Sequence, residues 1–432
     1  SSIPVERAEP NEALRVNLVW HYGFETPGIL LSTRQLEKIR DGQDIQSENR
    51  VFGCSTSFFL HDTFSVEPGA VKTWYICADV AKDSAGIVAL QNLIGSNKYN
   101  TAELIESSAA QSTLKLEKLV SLADGIQSTG DSRNDKRHFA NVMFNIMRGG
   151  VFEDGYNIDI DDFIDHLKTS NRAVYNKYKH ELQHSGKHVS LKQLIEFSQQ
   201  GGDKDLMRLA IEYLPLSFSR RHGDPSRPWN YFEIRIKDSD GKPSLNYQGN
   251  WRDIFQNWEA LAFSFPAFLP GMICRFLNAS TADGYNPYRL TREGFEWEVP
   301  EPDNPWAYIG YWGDHQIIYL LRLLELYERF FPGKILAALQ GNIFVYANVP
   351  YRIKSYNAIL ANPQDTIIFD QQLHSELLRM QEKKGADGKL LVSNGSIVRA
   401  SFTEKILVSM LTKLSNFVPD GGIWLNTQRP EW

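Results

Sequence analysis

The chain changes its hydrophobic period once. Residues 14–80 alternate apolar and polar positions, as in "RVNLVWHY" and "SFFLHDTFSVEPGAVKTWYICADV", and a two-residue period belongs to half-buried strands. Glu67-Pro68-Gly69 separates two of these β-rich runs, which predicts an antiparallel sheet within a sandwich. From about residue 99 the period lengthens towards ~3.6. "TAELIESSAAQSTLKLEKLVSLADGI", "KRHFANVMFNIMRGG" and "DIDDFIDHLKTSNRAVYNKYKHELQ" then read as helices. Later helices are predicted over roughly 190–214, 251–278, 314–331, 364–383 and 399–417. The sequence holds neither an internal repeat nor a low-complexity tract. The expected chain is mainly α with an N-terminal β domain: residues 1–98 as the β domain, 99–216 as a helical linker region and 217–432 as a large all-α domain.

Composition narrows the partners. A chain of 432 residues is long for one core and suggests two or three domains. A hydrophobic fraction of 42% and a mean hydropathy of −0.36 fit a soluble protein, and no apolar run approaches the ~20 residues of a membrane span. Net charge −6 argues against nucleic acid as the main partner, since phosphate binding usually shows as a basic balance. Cys54, Cys77 and Cys274 are too few and too scattered for a disulfide framework or a metal site. A reducing, cytoplasmic location is therefore expected, with an export signal upstream of Ser1 left open.

Candidate chemistry begins at "NYQGNWRDIFQNWEA", residues 246–260. On a helical wheel Ile254, Phe255, Trp258, Leu261, Ala262 and Phe265 share one arc, while Arg252, Asp253, Gln256 and Asn257 fall on another. Those polar side chains are planar or forked hydrogen-bonding groups, suited to paired contacts with adjacent hydroxyls. Downstream, residues 280–316 form a long aromatic segment that includes Asp283, Tyr285, Trp297 and Trp312. Long loops in compact domains are usually functional when they are not disordered. This one leads into an apolar helix headed by Asp314 and His315.

Trp229, Trp251, Trp258, Trp297, Trp306 and Trp312 make up six of the ten tryptophans. Rings with an apolar face and a polar edge suit a ligand that is apolar on one face and hydroxylated at its rim, and sugars have that character. No P-loop, dinucleotide fingerprint, G-x-S-x-G elbow or H-E-x-x-H pair is present. The acidic run "DGYNIDIDDFIDH" lacks the glycine and closing glutamate of a calcium loop. It reads better as a helix start, where carboxylates complement the dipole.

In this order of parts the sequence resembles the inverting cellobiose and chitobiose phosphorylase family and its cyclic-glucan relatives. The resemblance rests on "VEPGAVKTWYICADV" for the sandwich strands, "NWRDIFQN" for a substrate-binding helix, "YWGDHQIIYLL" for a second helix and "GGIWLNTQRPEW" for the approach to the general acid. It implies a β-sandwich, a helical linker and part of an (α/α)6 barrel. Substrate contacts would then come from Trp251, Arg252, Asp253, Gln256, Asn257, Asp283, Tyr285, Trp312, Asp314, His315 and Trp432. Arginines of "FSRRHGDPSRPWN", namely Arg220, Arg221 and Arg227, would hold phosphate. The family commonly has Asp where Asn257 stands, and "DGYNPYRL" replaces its His-Trp-Trp-His-type segment.

Inverting cleavage needs a protonated carboxyl on the leaving oxygen and a nucleophile on the opposite face of the ring. In a phosphorylase that nucleophile is inorganic phosphate, so phosphate as co-substrate, no cofactor, no metal and an oligosaccharide partner are expected. By the resemblance the acid is an Asp just beyond Trp432, so the protein is expected to continue and the isolated chain to be catalytically silent. An inverting hydrolase or transglycosylase, a non-catalytic carbohydrate-binding protein and a homodimer all stay open.

Overall fold

The computed structural model describes residues 16–95, 100–217, 244–287, 289–297, 299–300, 317–335, 341–362 and 367–417, with the backbone alone at 81, 250, 252, 253, 353 and 413–417. Among the described residues about 53% are helical, the sheets are small and antiparallel, and no barrel closes. No helix among them is long and apolar enough to cross a membrane. The chain divides into two compact units, Ser1–Leu116 and Glu117–Trp432.

In the first unit β1 (Val16–Tyr22) and β4 (Tyr75–Lys82) form an antiparallel ribbon, and β2 (Gly28–Leu30) pairs with β3 (Phe59–His61). The predicted alternation is visible in the ribbon. Trp20 and Cys77 face each other in half-buried positions, whereas Val19, Ile76 and Val80 on the other side are exposed. Leu30 is the one buried hydrophobic of this unit among the described residues. Beneath it the Glu48 carboxylate accepts from the Leu31 amide at 2.8 Å and from the Gln35 side chain at 2.9 Å. Two helices, α1 (Leu36–Arg40) and α2 (Ser84–Gly95), also lie in this unit. The following α3 (Thr101–Leu122) crosses its boundary.

The second unit has one continuous core. Several of its helices start where short polar side chains cap them. Asp131 caps α4 (Ser132–Gly149), Asp159 caps α5 (Ile160–Ser170), Asn171 caps α6 (Arg172–His184) and Asp203 caps α8 (Lys204–Glu212). Ser190 and Gln193 close a reciprocal capping box at the start of α7 (Leu191–Gln200). The acidic run therefore does what its helix-start reading expects: Asp159 accepts from the amides of Asp161 and Asp162. Antiparallel β5 (Asn157–Asp159) and β6 (His188–Ser190) tie this helical group together.

Two long predicted helices are each broken in two. The 190–214 segment divides into α7 and α8 at Gly201-Gly202, with Gly202 at φ 63°, a conformation that glycine adopts without steric cost. The 251–278 segment divides into α9 (Trp251–Ser264) and α10 (Leu269–Asn278) at a 3-10 turn beginning with Pro266, because proline cannot donate to a continuing helix. The later helices are α11 (Ile317–Phe330), α12 (Tyr356–Ala361), α13 (Gln371–Lys384) and α14 (Phe402–Phe417). A three-stranded sheet of β7 (Gln248–Asn250), β8 (Arg289–Thr291) and β9 (Gly294–Glu296) lies at the head of α9. Beyond it, β10 (Phe344–Val345) pairs with the strand Arg399–Ala400 just before α14.

Helix α9 packs closely on α4 because α4 ends in glycine. A Cβ at Gly149 would stand 2.7 Å from the Asn257 Cβ. In its absence the Trp258 indole donates to the Gly149 carbonyl at 2.9 Å.

Candidate functional site

The arc of α9 predicted to pack does so: Ile254, Phe255, Trp258, Leu261, Ala262 and Phe265 are all buried. The polar arc divides. Gln256 is exposed, whereas Asn257 is 6% exposed and lies against the end of α4. Trp251 is also interior, packed against the rings of Phe255 and Phe276. Arg252 and Asp253 occupy the first turn of α9, and their side chains lie outside the described residues. So do Arg220, Arg221, Arg227, Trp312, Asp314, His315 and Trp432 as whole residues.

The turn at 280–286 carries the other two candidates. The Thr281 amide donates to the Tyr285 carbonyl at 2.8 Å, and the Tyr285 amide donates back to Thr281 Oγ1 at 3.1 Å. That closure buries Tyr285 and leaves Asp283 exposed. Burial, with Asp283 nearby, pushes the Tyr285 hydroxyl above its ordinary range. The Asn250–Arg289 register then brings the strand after this turn beside the first turn of α9. Of the described candidates, Gln256 and Asp283 present polar side chains at the surface.

Nothing in the sequence singled out a charged cluster in the interior of the described residues. Arg208 on α8 is 3% exposed; it donates to Glu212 at 3.1 Å and to Asp387. Asn171 donates to the same Asp387 oxygen at 2.6 Å, and Asn278 joins Glu212 to the Val345 amide. Burial raises the Asp387 carboxyl above the usual range, an effect that Arg208 opposes. For Arg208 burial works downward, but the carboxylates of Asp387 and Glu212 outweigh it and hold the guanidinium charged.

Two carboxylates that share Arg208 invite an acid and base assignment, but the space beside them is too small for a sugar ring. Their cavity, also walled by Arg275, measures about 30 Å3, enough for a water-sized guest and far below a sugar ring. This network is a junction that joins the end of α5, α8 and α10 to the segment around Asp387. A second, partly buried pair lies in the same unit, with Arg292 donating to Asp162 at 2.6 Å and Tyr213 donating to the same carboxylate.

A concave surface of useful size lies elsewhere among the described residues of this unit. A groove of about 550 Å3 is lined by Tyr156, Lys192, Ile195, Pro270, Tyr327 and Phe331. Ligand sites combine mostly apolar walls with a few polar groups in volumes of roughly 300–1,000 Å3. Tyr156 accepts from the Ala267 amide at 3.3 Å, which fixes its ring at the groove wall. Lys192 sits 3.9 Å from Glu196 on the next turn of α7. Three aromatic rings beside charged groups make a surface with apolar faces and a polar rim.

The α5–α8 group, which supplies one wall of that groove, matches a known family model. It is similar to a domain of the carbohydrate-active enzymes: residues 152–215 match the model for glycoside hydrolase family 149 insertion domain 1. This match supports a glycoside hydrolase or phosphorylase type of family and does not single out the cellobiose and chitobiose phosphorylases. No curated protein matches the chain.

Proposed function

We propose that this chain belongs to an enzyme that cleaves a glycosidic bond with inversion, by phosphorolysis of an oligosaccharide. The observation that carries the reading is the match of residues 152–215 to an insertion domain of glycoside hydrolases. That segment also contributes Tyr156, Lys192 and Ile195 to the aromatic groove. The groove would hold part of a glycan by stacking on Tyr156, Tyr327 and Phe331. Arg252, Asp253, Gln256 and Asp283 would take hydroxyls near the bond that breaks, as forked and planar groups can. One of Arg220, Arg221 and Arg227 would hold phosphate in line with the anomeric carbon, on the face opposite the leaving oxygen.

On this reading the enzyme has the sandwich, linker and helical barrel order, works in the cytoplasm, and uses phosphate with no further cofactor. The test is to incubate the purified protein with cello- and chito-oligosaccharides, with and without phosphate. Sugar 1-phosphate formed only when phosphate is present supports phosphorolysis. Free sugar released at the same rate in both mixtures makes the enzyme a hydrolase. Binding without turnover in either mixture by the natural full-length protein makes it a carbohydrate-binding protein.

A further inference from the structure

Three contacts pin the 280–286 turn to α14. Lys405 is 1% exposed; its amine donates to the carbonyls of Ser280 at 3.3 Å and Val345 at 2.8 Å and stands 3.8 Å from the centre of the Tyr346 ring. About two turns further along, Thr412 Oγ1 lies within hydrogen-bond reach of the Asp283 carbonyl and 2.9 Å from the Val408 carbonyl. Its single proton serves one of them at a time. Between these points Gly284, at φ 80°, lies so near the helix that a Cβ there would stand 2.7 Å from the Val408 carbonyl oxygen.

Burying an ammonium group is costly without hydrogen bonds to compensate. Burial accordingly holds the Lys405 amine well below the ordinary lysine range. The group gains backbone control in exchange. The Ser280 carbonyl also accepts from the Ala347 amide at 2.9 Å, so the start of the turn, β10 and α14 meet at one amine. Thr412 fixes the far side of the same turn at the residue whose carboxylate reaches the surface.

We propose that Lys405 and Thr412 are positioning residues for Asp283: α14 sets the turn so that this carboxylate is presented to a sugar hydroxyl. The ligand in this inference rests on the function proposed above, whereas the geometry does not. Asp283 is fixed through its own backbone, so its side chain meets a ligand without first having to order the turn.

The test uses the full chain. Thr412→Val removes the hydroxyl at nearly constant volume, Thr412→Ser keeps it, and Lys405→Met removes the amine. Amide exchange at Gly284 and Tyr285 is followed by mass spectrometry, and affinity for cello- and chito-oligosaccharides by calorimetry. Thr412→Val and Lys405→Met should speed exchange roughly three- to tenfold, the size of one hydrogen bond. Sugar affinity should fall with them and with Asp283→Asn, while Thr412→Ser keeps both parental values. Unchanged exchange in both Thr412→Val and Lys405→Met overturns the positioning role, whatever the parent does with sugar. Faster exchange with parental sugar affinity overturns Asp283 as the group being positioned. A parent that binds no oligosaccharide overturns the proposed function instead, and the exchange measurement still decides the role of α14.

Discussion

Asn171 and Asp387, 216 positions apart, meet in the interior, where the Asn171 amide donates to Asp387 Oδ2 at 2.6 Å. Asn171 also caps α6 by accepting from the amides of Ala173 and Val174. One side chain thus starts a helix in the segment matched to the glycoside hydrolase insertion domain and ties it to a residue near α13. Arg208 bonds the same Asp387 oxygen from α8, so the matched segment is held at two points by one carboxylate.

Removing that carboxylate should therefore be expensive. Asp387→Ala would leave Arg208 buried with one partner fewer, and breaking a buried ion pair typically costs ~3–5 kcal/mol. Equilibrium denaturation should show the loss. Asp387→Asn, which keeps an acceptor but not the charge, should fall between the variant and the parent. A loss below about 1 kcal/mol in Asp387→Ala would mean that the junction is not a stabilising element.

The contact between α4 and α9 gives a second prediction. Alanine is ordinarily the better helix former, but a Cβ at residue 149 would come 2.7 Å from Asn257 Cβ and 3.3 Å from Trp258 Cδ1. Gly149→Ala should push the helices apart and destabilise by ~1–3 kcal/mol, the usual range for overpacking. An unchanged or raised melting temperature would show that α4 yields at its end.

How far the sequence reached depends on the range of the forces involved. The packed arc of α9 was legible because Ile254, Phe255 and Trp258 repeat at helical spacing within one element. The breaks at Gly201-Gly202 and Pro266 were written in the chain as well, yet the apolar period continues across them and masks them. Asn257 falls on the polar side of the wheel but is buried by α4, a neighbour that the period of α9 cannot report. The junction was least legible. Arg208, Glu212, Asn278 and Asp387 each look like ordinary surface residues of their own helix or loop, and only the tertiary fold gathers them.

Lys389 makes a pH prediction. It is 5% exposed and donates to the Phe295 carbonyl at 2.6 Å. Burial lowers its pKa to about 8, against the pull of Glu296 and Glu293. Below that value both the folded and unfolded states hold the proton. Between about 8 and the unfolded value of ~10.4 the unfolded state holds more, so stability from this group rises with pH and levels off above the window. The full gain would be on the order of 3 kcal/mol. Denaturation of parent and Lys389→Met between neutral pH and pH ~10 should show the parent gaining on the variant. Parallel stability curves would mean that the amine stays charged in the fold.

The groove can be tested apart from the sugar contacts proposed near α9. Tyr156 stands at its wall with ring centres 6.1 Å from Phe265 and 5.4 Å from Phe268, so its ring both packs inward and faces the open space. Truncation removes a stacking surface, which is worth roughly 0.5–1.5 kcal/mol for a ring contact. Tyr156→Ala should weaken oligosaccharide binding by about two- to tenfold and lower the melting temperature slightly. Tyr156→Phe keeps the ring and loses only the hydroxyl that accepts from Ala267, so it should bind as the parent does. If Tyr156→Ala binds cello- and chito-oligosaccharides with parental affinity, the groove does not hold the glycan. If Tyr156→Phe is as weak as Tyr156→Ala, the contact is made by the hydroxyl, and stacking on the ring is the wrong account of it.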